Sequence, residues 1–137
     1  MYDYTQAKMN DDAIRAISSI GLAHLGDAVY ELLVRTYLCV HGKATGKGLH
    51  RATVELVCAP AQAERAERML PLLTQEELAF YRRGRNAHVH QVPKNATYAQ
   101  YARATGLECL FGALYLSGQL DRLNELFILT MEDSHAI

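Results

Sequence analysis

Tryptophan is absent from this chain, prolines number only three in 137 residues, and no charge-free apolar run is long enough to span a membrane. The opening MYDYTQAKMNDD has neither the basic start nor the apolar core of a signal peptide, so a cytoplasmic protein without membrane contact is expected. Cysteine is scarce and odd in number: Cys39, Cys58 and Cys109 lie far apart, which argues against a disulfide framework or a zinc site. All three are expected to be reduced core residues. Net charge is only −1, so nothing global advertises a polyanionic partner. With half its residues hydrophobic, 21% charged and no low-complexity tract, the chain is expected to form one compact domain over residues 1–137, with residues 1–10 frayed.

What the sequence has is helical periodicity. Ser18 and Ser19 offer an N-cap to the run Ile20–Val40, and Gly42 a stop after it. The segment HGKATGKGLHR, with three glycines, reads as a loop able to approach a phosphate backbone, although it lacks P-loop spacing. A helix is expected from Leu49 to Val57, and Pro60 suits the first turn of the next, in which alternating Glu and Arg mark a solvent face. Thr74 and Glu77 form a capping box for a helix ending at Gly84. From Arg85 to Thr97 no period persists. A second long apolar helix then starts at Asn95 or Thr97 and ends at Gly118, and Asp121 opens a last amphipathic one. Sustained alternation with period two is absent, so the expected class is all-α, a packed helical bundle.

Charge is unevenly distributed. The 15 acids fall in three blocks, leaving residues 32–54 and 78–107 free of them. Those two segments hold nine cations, Arg35, Lys43, Lys47, Arg51, Arg82, Arg83, Arg85, Lys94 and Arg103, together with His41, His50, His88 and His90. If both reach one side of the fold, a nearly neutral protein presents a basic face to phosphates. Solvated charges scattered over several faces are the alternative.

Two acids stand out. Asp27 sits among Leu22, Ala23, Leu25, Ala28 and Val29, and Glu108 among Leu107, Cys109, Leu110 and Phe111. A carboxylate embedded in apolar surroundings must be neutralised, paired or bound to a metal. The helix alone leaves structural and functional readings of Asp27 open. Facing one another, the two acids would repel unless a cation lay between them. Oxygen ligands without His or Cys favour Mg²⁺ or Mn²⁺ over zinc, a site suited to phosphate-ester chemistry. Glu31, one turn after Asp27, either orients a metal-bound water or pairs with Arg35, with the structural role favoured.

The motifs LGDAVYE, RRGRNAH, PKN and ATGLECLFGALYL, in this order between Leu22 and Leu116, resemble those of the ribonuclease III catalytic domain, in particular its stand-alone Mini-III branch. The resemblance implies an all-α fold of the ribonuclease III catalytic type. It implies a Mg²⁺-dependent endoribonuclease, with Mn²⁺ as substitute, that cuts double-stranded RNA and leaves 5′-phosphate and 3′-hydroxyl ends. Asp27 and Glu108 match two of the family's four catalytic and metal-binding acids. The other two fall at Ala23 and Thr105, as the Mini-III branch implies. Arg85, Asn86, Lys94 and Asn95 are expected to contact RNA backbone and 2′-hydroxyls, with loop-ordering hydrogen bonds as their structural alternative, and His88 and His90 to assist. Further implied are a homodimer whose two sites cut opposite strands, a 23S ribosomal RNA precursor as substrate, and a ribosomal protein as candidate helper. No double-stranded-RNA-binding domain is expected after residue 137, as the resemblance to this branch implies. The competing reading is a catalytically silent RNA-binding or ribosome-assembly module on the same fold.

Overall fold

The computed structural model describes residues 1–42, 46–87, 92 and 94–131. Seven α-helices run through them: α1 (Asp11–Arg15), α2 (Ser19–Val40), α3 (Gly46–Val57), α4 (Ala59–Met69), α5 (Gln75–Arg85), α6 (Tyr98–Leu116) and α7 (Leu120–Met131), with a 3-10 turn at Leu70–Leu72. No strand occurs among the described residues, so the protein is all-α. None of the described helices is long and apolar enough to cross a membrane.

Helix boundaries follow local chemistry. Ser18 caps α2, its Oγ accepting from the Gly21 amide at 2.9 Å, and Gly42 ends the run at φ +87°. Thr74 and Glu77 form the expected reciprocal box on α5. Thr97 forms one with Gln100 on α6, which Gly118 closes at φ +77°. Pro60 lies in the first turn of α4.

Three expectations are corrected. Helix α3 begins at Gly46, so its glycines 46 and 48 belong to the helix rather than to the preceding loop. Helix α5 runs through Gly84 to Arg85. Gly84 is buried, and a Cβ on it would come within 2.6 Å of the Thr105 carbonyl oxygen and of Cys109 Cβ, so it serves close packing on α6 and not termination. Of the cysteines only Cys109 is buried; Cys39 and Cys58 are exposed.

Helix α6 is the centre. Its residues from Ala104 to Leu114 are buried except Glu108, and a helix apolar on nearly all sides must be surrounded. Helices α2, α4 and α5 pack around it, with α7 closing over α4 and α6 and α3 lying on α2. Tyr30, Phe111 and Phe127 form an edge-to-face cluster, Tyr30 lying 5.7 and 6.0 Å from the other two ring centroids. A second cluster of Ile14, Leu22, Ala23, Cys109 and Ala113 seats α1 on the α2–α6 pair. The first ten residues lie against the end of α6: Ala7 is buried, and the Met9 amide donates to the Leu116 carbonyl at 2.7 Å.

Candidate active site

Two glycines set the geometry of the site. A Cβ on Gly26 would lie 1.6 Å from the carbonyl oxygen of Glu108, and one on Gly112 would lie 2.2 Å from that of Leu22. Helices α2 and α6 therefore touch backbone to backbone. That closeness brings Asp27, next to Gly26, against Glu108, so that the two carboxyl groups share a hydrogen bond. Burial, reinforced by the negative charge of Asp27 and by the hydrogen bond between them, pushes the Glu108 carboxyl up to about 9, while the amide of Gln62 acts in the opposite direction.

The embedding of the two acids is unequal, which corrects the expectation for Asp27. Leu22, Ala23 and Val29 are buried, but Asp27 lies with His24 and Ala28 on the exposed edge of α2. Only Glu108 is drawn into the interior. A half-buried acid beside an exposed one is reachable from solvent.

The cleft, of about 340 Å³, is lined among others by Glu108, Gln62, Cys58, Tyr101, Lys94 and Asn95. Lys94 and Asn95, distant from Glu108 in sequence, thus face the same space. Arg85 and Asn86 are not among its lining residues. Arg85 is exposed at the end of α5, its Nε donating to Asn86 Oδ1 at 3.3 Å and its guanidinium 6.0 Å from the Tyr81 ring centroid. Asn86 is the C-cap of that helix, its amide donating to the Arg82 carbonyl at 2.9 Å. His88, His90, Pro93 and Lys43 lie outside the described residues.

Other basic residues are occupied by the fold itself. Arg35 pairs with Glu31 at 2.7 Å, the structural role favoured for that acid. Arg83 turns inward, donating to the Ile17 carbonyl at 2.6 Å and to Ser19 Oγ at 3.3 Å, and Arg103 pairs with Glu67 at 2.9 Å. Lys47, Arg51, Arg82, Arg85 and Lys94 remain exposed.

The donor set fits a hard divalent cation. No group of three or more His, Cys, Asp or Glu side chains is assembled among the described residues. Ala23 and Thr105, where the ribonuclease III resemblance implies two further acids, are both buried, and the Thr105 hydroxyl is spent on the Tyr101 carbonyl at 2.9 Å. Two adjacent carboxyls, that of Glu108 opening on the cleft, match Mg²⁺, which commonly takes one or two carboxylates and completes its shell with water and phosphate oxygens. No local signal in the sequence marks Gln62. In AQAERAER it reads as part of a polar face, yet it is only 2% exposed, and its Nε2 donates to Glu108 Oε2 at 3.4 Å and to the Val57 carbonyl at 2.8 Å.

Comparison with known proteins shows the family. The family model described as Ribonuclease III domain matches residues 21–119, and the chain belongs to that family: it is an endoribonuclease of the ribonuclease III type, whose substrate is double-stranded RNA. Within the family it is similar to proteins named Mini-ribonuclease 3. That of Symbiobacterium thermophilum is 48% identical over 104 residues, 76% of this chain and 80% of the relative. That of Enterococcus faecalis is 43% identical over 114 residues, 82% and 86% of the two chains. A crystal structure of a Fusobacterium nucleatum protein superimposes with a TM-score of 0.81 at 27% identity, covering 88% of this chain and 97% of the other.

Proposed function

We propose that this protein is a Mg²⁺-dependent nuclease of the cytoplasm that matures the precursor of 23S ribosomal RNA, with Asp27 and Glu108 as its catalytic, metal-holding acids. The observation that carries this reading is the contact between the two carboxyls, with Glu108 on the wall of a cleft that Lys94 and Asn95 also line. Two acids forced together by glycine-mediated helix contact are electrostatically unfavourable without a cation, and a fold that keeps them so has a use for one. Mg²⁺, or Mn²⁺ in its place, supplies the positive charge that activates water and stabilises the leaving 3′ oxygen of a phosphodiester. The products then carry 5′ phosphates and 3′ hydroxyls. Glu108, recessed and partly shielded from water, and Asp27, exposed beside it, are the residues that would hold the ion. Lys94 neutralises backbone phosphate beside the cleft, and Asn95 offers its amide to phosphate or 2′-hydroxyl groups, the shape-directed contacts an A-form duplex provides. Arg85 and Asn86 extend the same contact from the end of α5.

One such cleft cuts one strand, so cleavage of both strands calls for two copies of the chain. The homodimer is supported by the apolar residues that α2 leaves uncovered, Ile20 at 47%, Leu32 at 63% and Val40 at 74% exposure. A ribosomal protein bound to the precursor is the candidate helper.

The test is incubation of purified protein with an rRNA-precursor duplex and with single-stranded RNA of the same sequence, with Mg²⁺ and with chelator. Duplex cleavage that requires Mg²⁺ and disappears in Asp27→Asn is expected. Cleavage indifferent to chelator, or undiminished in the folded variant, rejects the assignment.

A further inference from the structure

The part of the cleft that family resemblance leaves unassigned is its wall on α4. Gln62 is almost wholly buried, one turn after the exposed N-cap Cys58, and its side chain joins three elements. Its Nε2 donates to the carbonyl of Val57, the last residue of α3, at 2.8 Å and to Glu108 Oε2 on α6 at 3.4 Å. The orientation of the amide is determined chemically, because a backbone carbonyl only accepts and the NH₂ must face it. Oε1 is therefore directed elsewhere, and among the described residues it has no hydrogen-bond partner.

A buried unpaired acceptor is a standing cost to folding, and a methionine of similar length would avoid it. Its presence beside the recessed acid of the cleft has a reason in the Glu108 contact. Glu108 reaches the cleft from the buried helix beside the like charge of Asp27, and a donor next to it restrains the rotation of its carboxyl. An amide N–H supplies that donor without adding charge.

We propose that Gln62 is a positioning residue of the active site, whose side-chain amide anchors one oxygen of Glu108 so that the carboxylate is presented to the divalent cation. This rests on the assignment of Asp27 and Glu108 as the ligands. Groups that orient metal ligands characteristically change metal affinity or activity about 10- to 100-fold when removed.

The experiment measures Mn²⁺ binding to the metal-free full chain by electron paramagnetic resonance, for wild type, Gln62→Met, Asp27→Asn and Glu108→Gln, with circular dichroism melts of each. Gln62→Met is expected to melt close to wild type and to bind Mn²⁺ at least about 10-fold more weakly. Its kcat falls while KM for duplex RNA stays unchanged, and higher Mn²⁺ restores the rate. Gln62→Leu, of different shape, repeats the measurement. Wild-type Mn²⁺ affinity in both Gln62 variants, with binding lost in Asp27→Asn and Glu108→Gln, overturns the proposal and leaves Gln62 as a closure of α3. Misfolding of both Gln62 variants overturns it likewise, since the amide is then needed for the fold. If Asp27→Asn and Glu108→Gln bind Mn²⁺ as wild type does, the ligand assignment fails and this inference falls with it.

Discussion

Glu108 shows how one side chain can be a liability to the fold and an asset to the site. It lies in the most buried helix, with a second carboxyl against it, and its proton is held far above the ordinary range for a glutamate. Replacing it with Gln keeps the shape and removes both the burial penalty on charge and the repulsion from Asp27. Glu108→Gln is therefore expected to melt higher than wild type in the absence of metal while losing cleavage. Mg²⁺ should raise the melting temperature of wild type, because a ligand that binds only the native state stabilises it. It should leave that of the variant unchanged, and calorimetry with and without Mg²⁺ decides this. Equal stabilisation of both proteins would place the cation elsewhere.

Glu77 is the opposite case. Its two oxygens take Nε and Nη2 of Arg122, each at 2.8 Å, and Arg122 Nη2 also donates to the Leu72 carbonyl at 2.9 Å, tying α7 to the start of α5. The Arg122 hydrogen bonds hold the Glu77 carboxyl below its ordinary 4.5, against the opposing effect of burial. With its pKa depressed in the folded state, Glu77 contributes stability fully above about pH 4.5 and loses it as pH falls from there. Arg122→Met is expected to cost about 3 kcal/mol near neutrality, since it strands a nearly buried acid. The difference from wild type should shrink below pH 4.5, which urea unfolding across pH would reveal.

At the scale of elements, the contacts of α6 with α2 and with α5 are both made by glycine pairs, Gly26 with Gly112 and Gly84 with Gly106. At Gly26 and Gly112 backbone lies against backbone, so an added methyl has no flexible neighbour to displace. Gly26→Ala is expected to destabilise by about 3 kcal/mol or more and to separate Asp27 from Glu108. Gly46, in the first turn of α3, has open space around its missing Cβ, and Gly46→Ala should stabilise by roughly 0.5 kcal/mol through the unfolded state. Thermal melts of the two variants check the pair. Similar effects from both would mean that the α2–α6 contact is looser than described.

For the whole molecule, the open question is how a chain with net charge −1 holds a polyanion. Arg35, Arg83 and Arg103 are engaged within the fold, so electrostatic attraction falls to fewer cations than the acid-free segments contain. Each phosphate contact made by the remainder adds about one unit to the salt dependence of binding. Lys94→Ala or Arg85→Ala, on Asp27→Asn protein, is expected to weaken duplex binding and lower that slope by about one unit. Unchanged affinity and slope in both would transfer the contact to Lys47 and Arg51 on α3. Sedimentation of the same proteins should give a dimer, and a fully active monomer would contradict the two-copy arrangement.

What the sequence by itself determined is what short-range chemistry controls. Ser18, Thr74 with Glu77, Thr97, Pro60, Gly42 and Gly118 act on neighbours within a few residues, so the helices were legible with most of their ends. Asp27 and Glu108 were legible too, as acids in apolar runs. The tertiary structure alone decided what depends on residues far apart in the chain. A glycine that ends a helix and a glycine at a helix crossing look alike locally, so only the packing of α6 against Gly84 distinguishes the two. Which face of α2 meets α6 decided that Asp27 is exposed and Glu108 recessed. The turn from α3 into α4 carried Gln62, polar and unremarkable in its own segment, inward to Glu108. Such pairings are made by packing between helices, and no local pattern encodes which side of each will be covered.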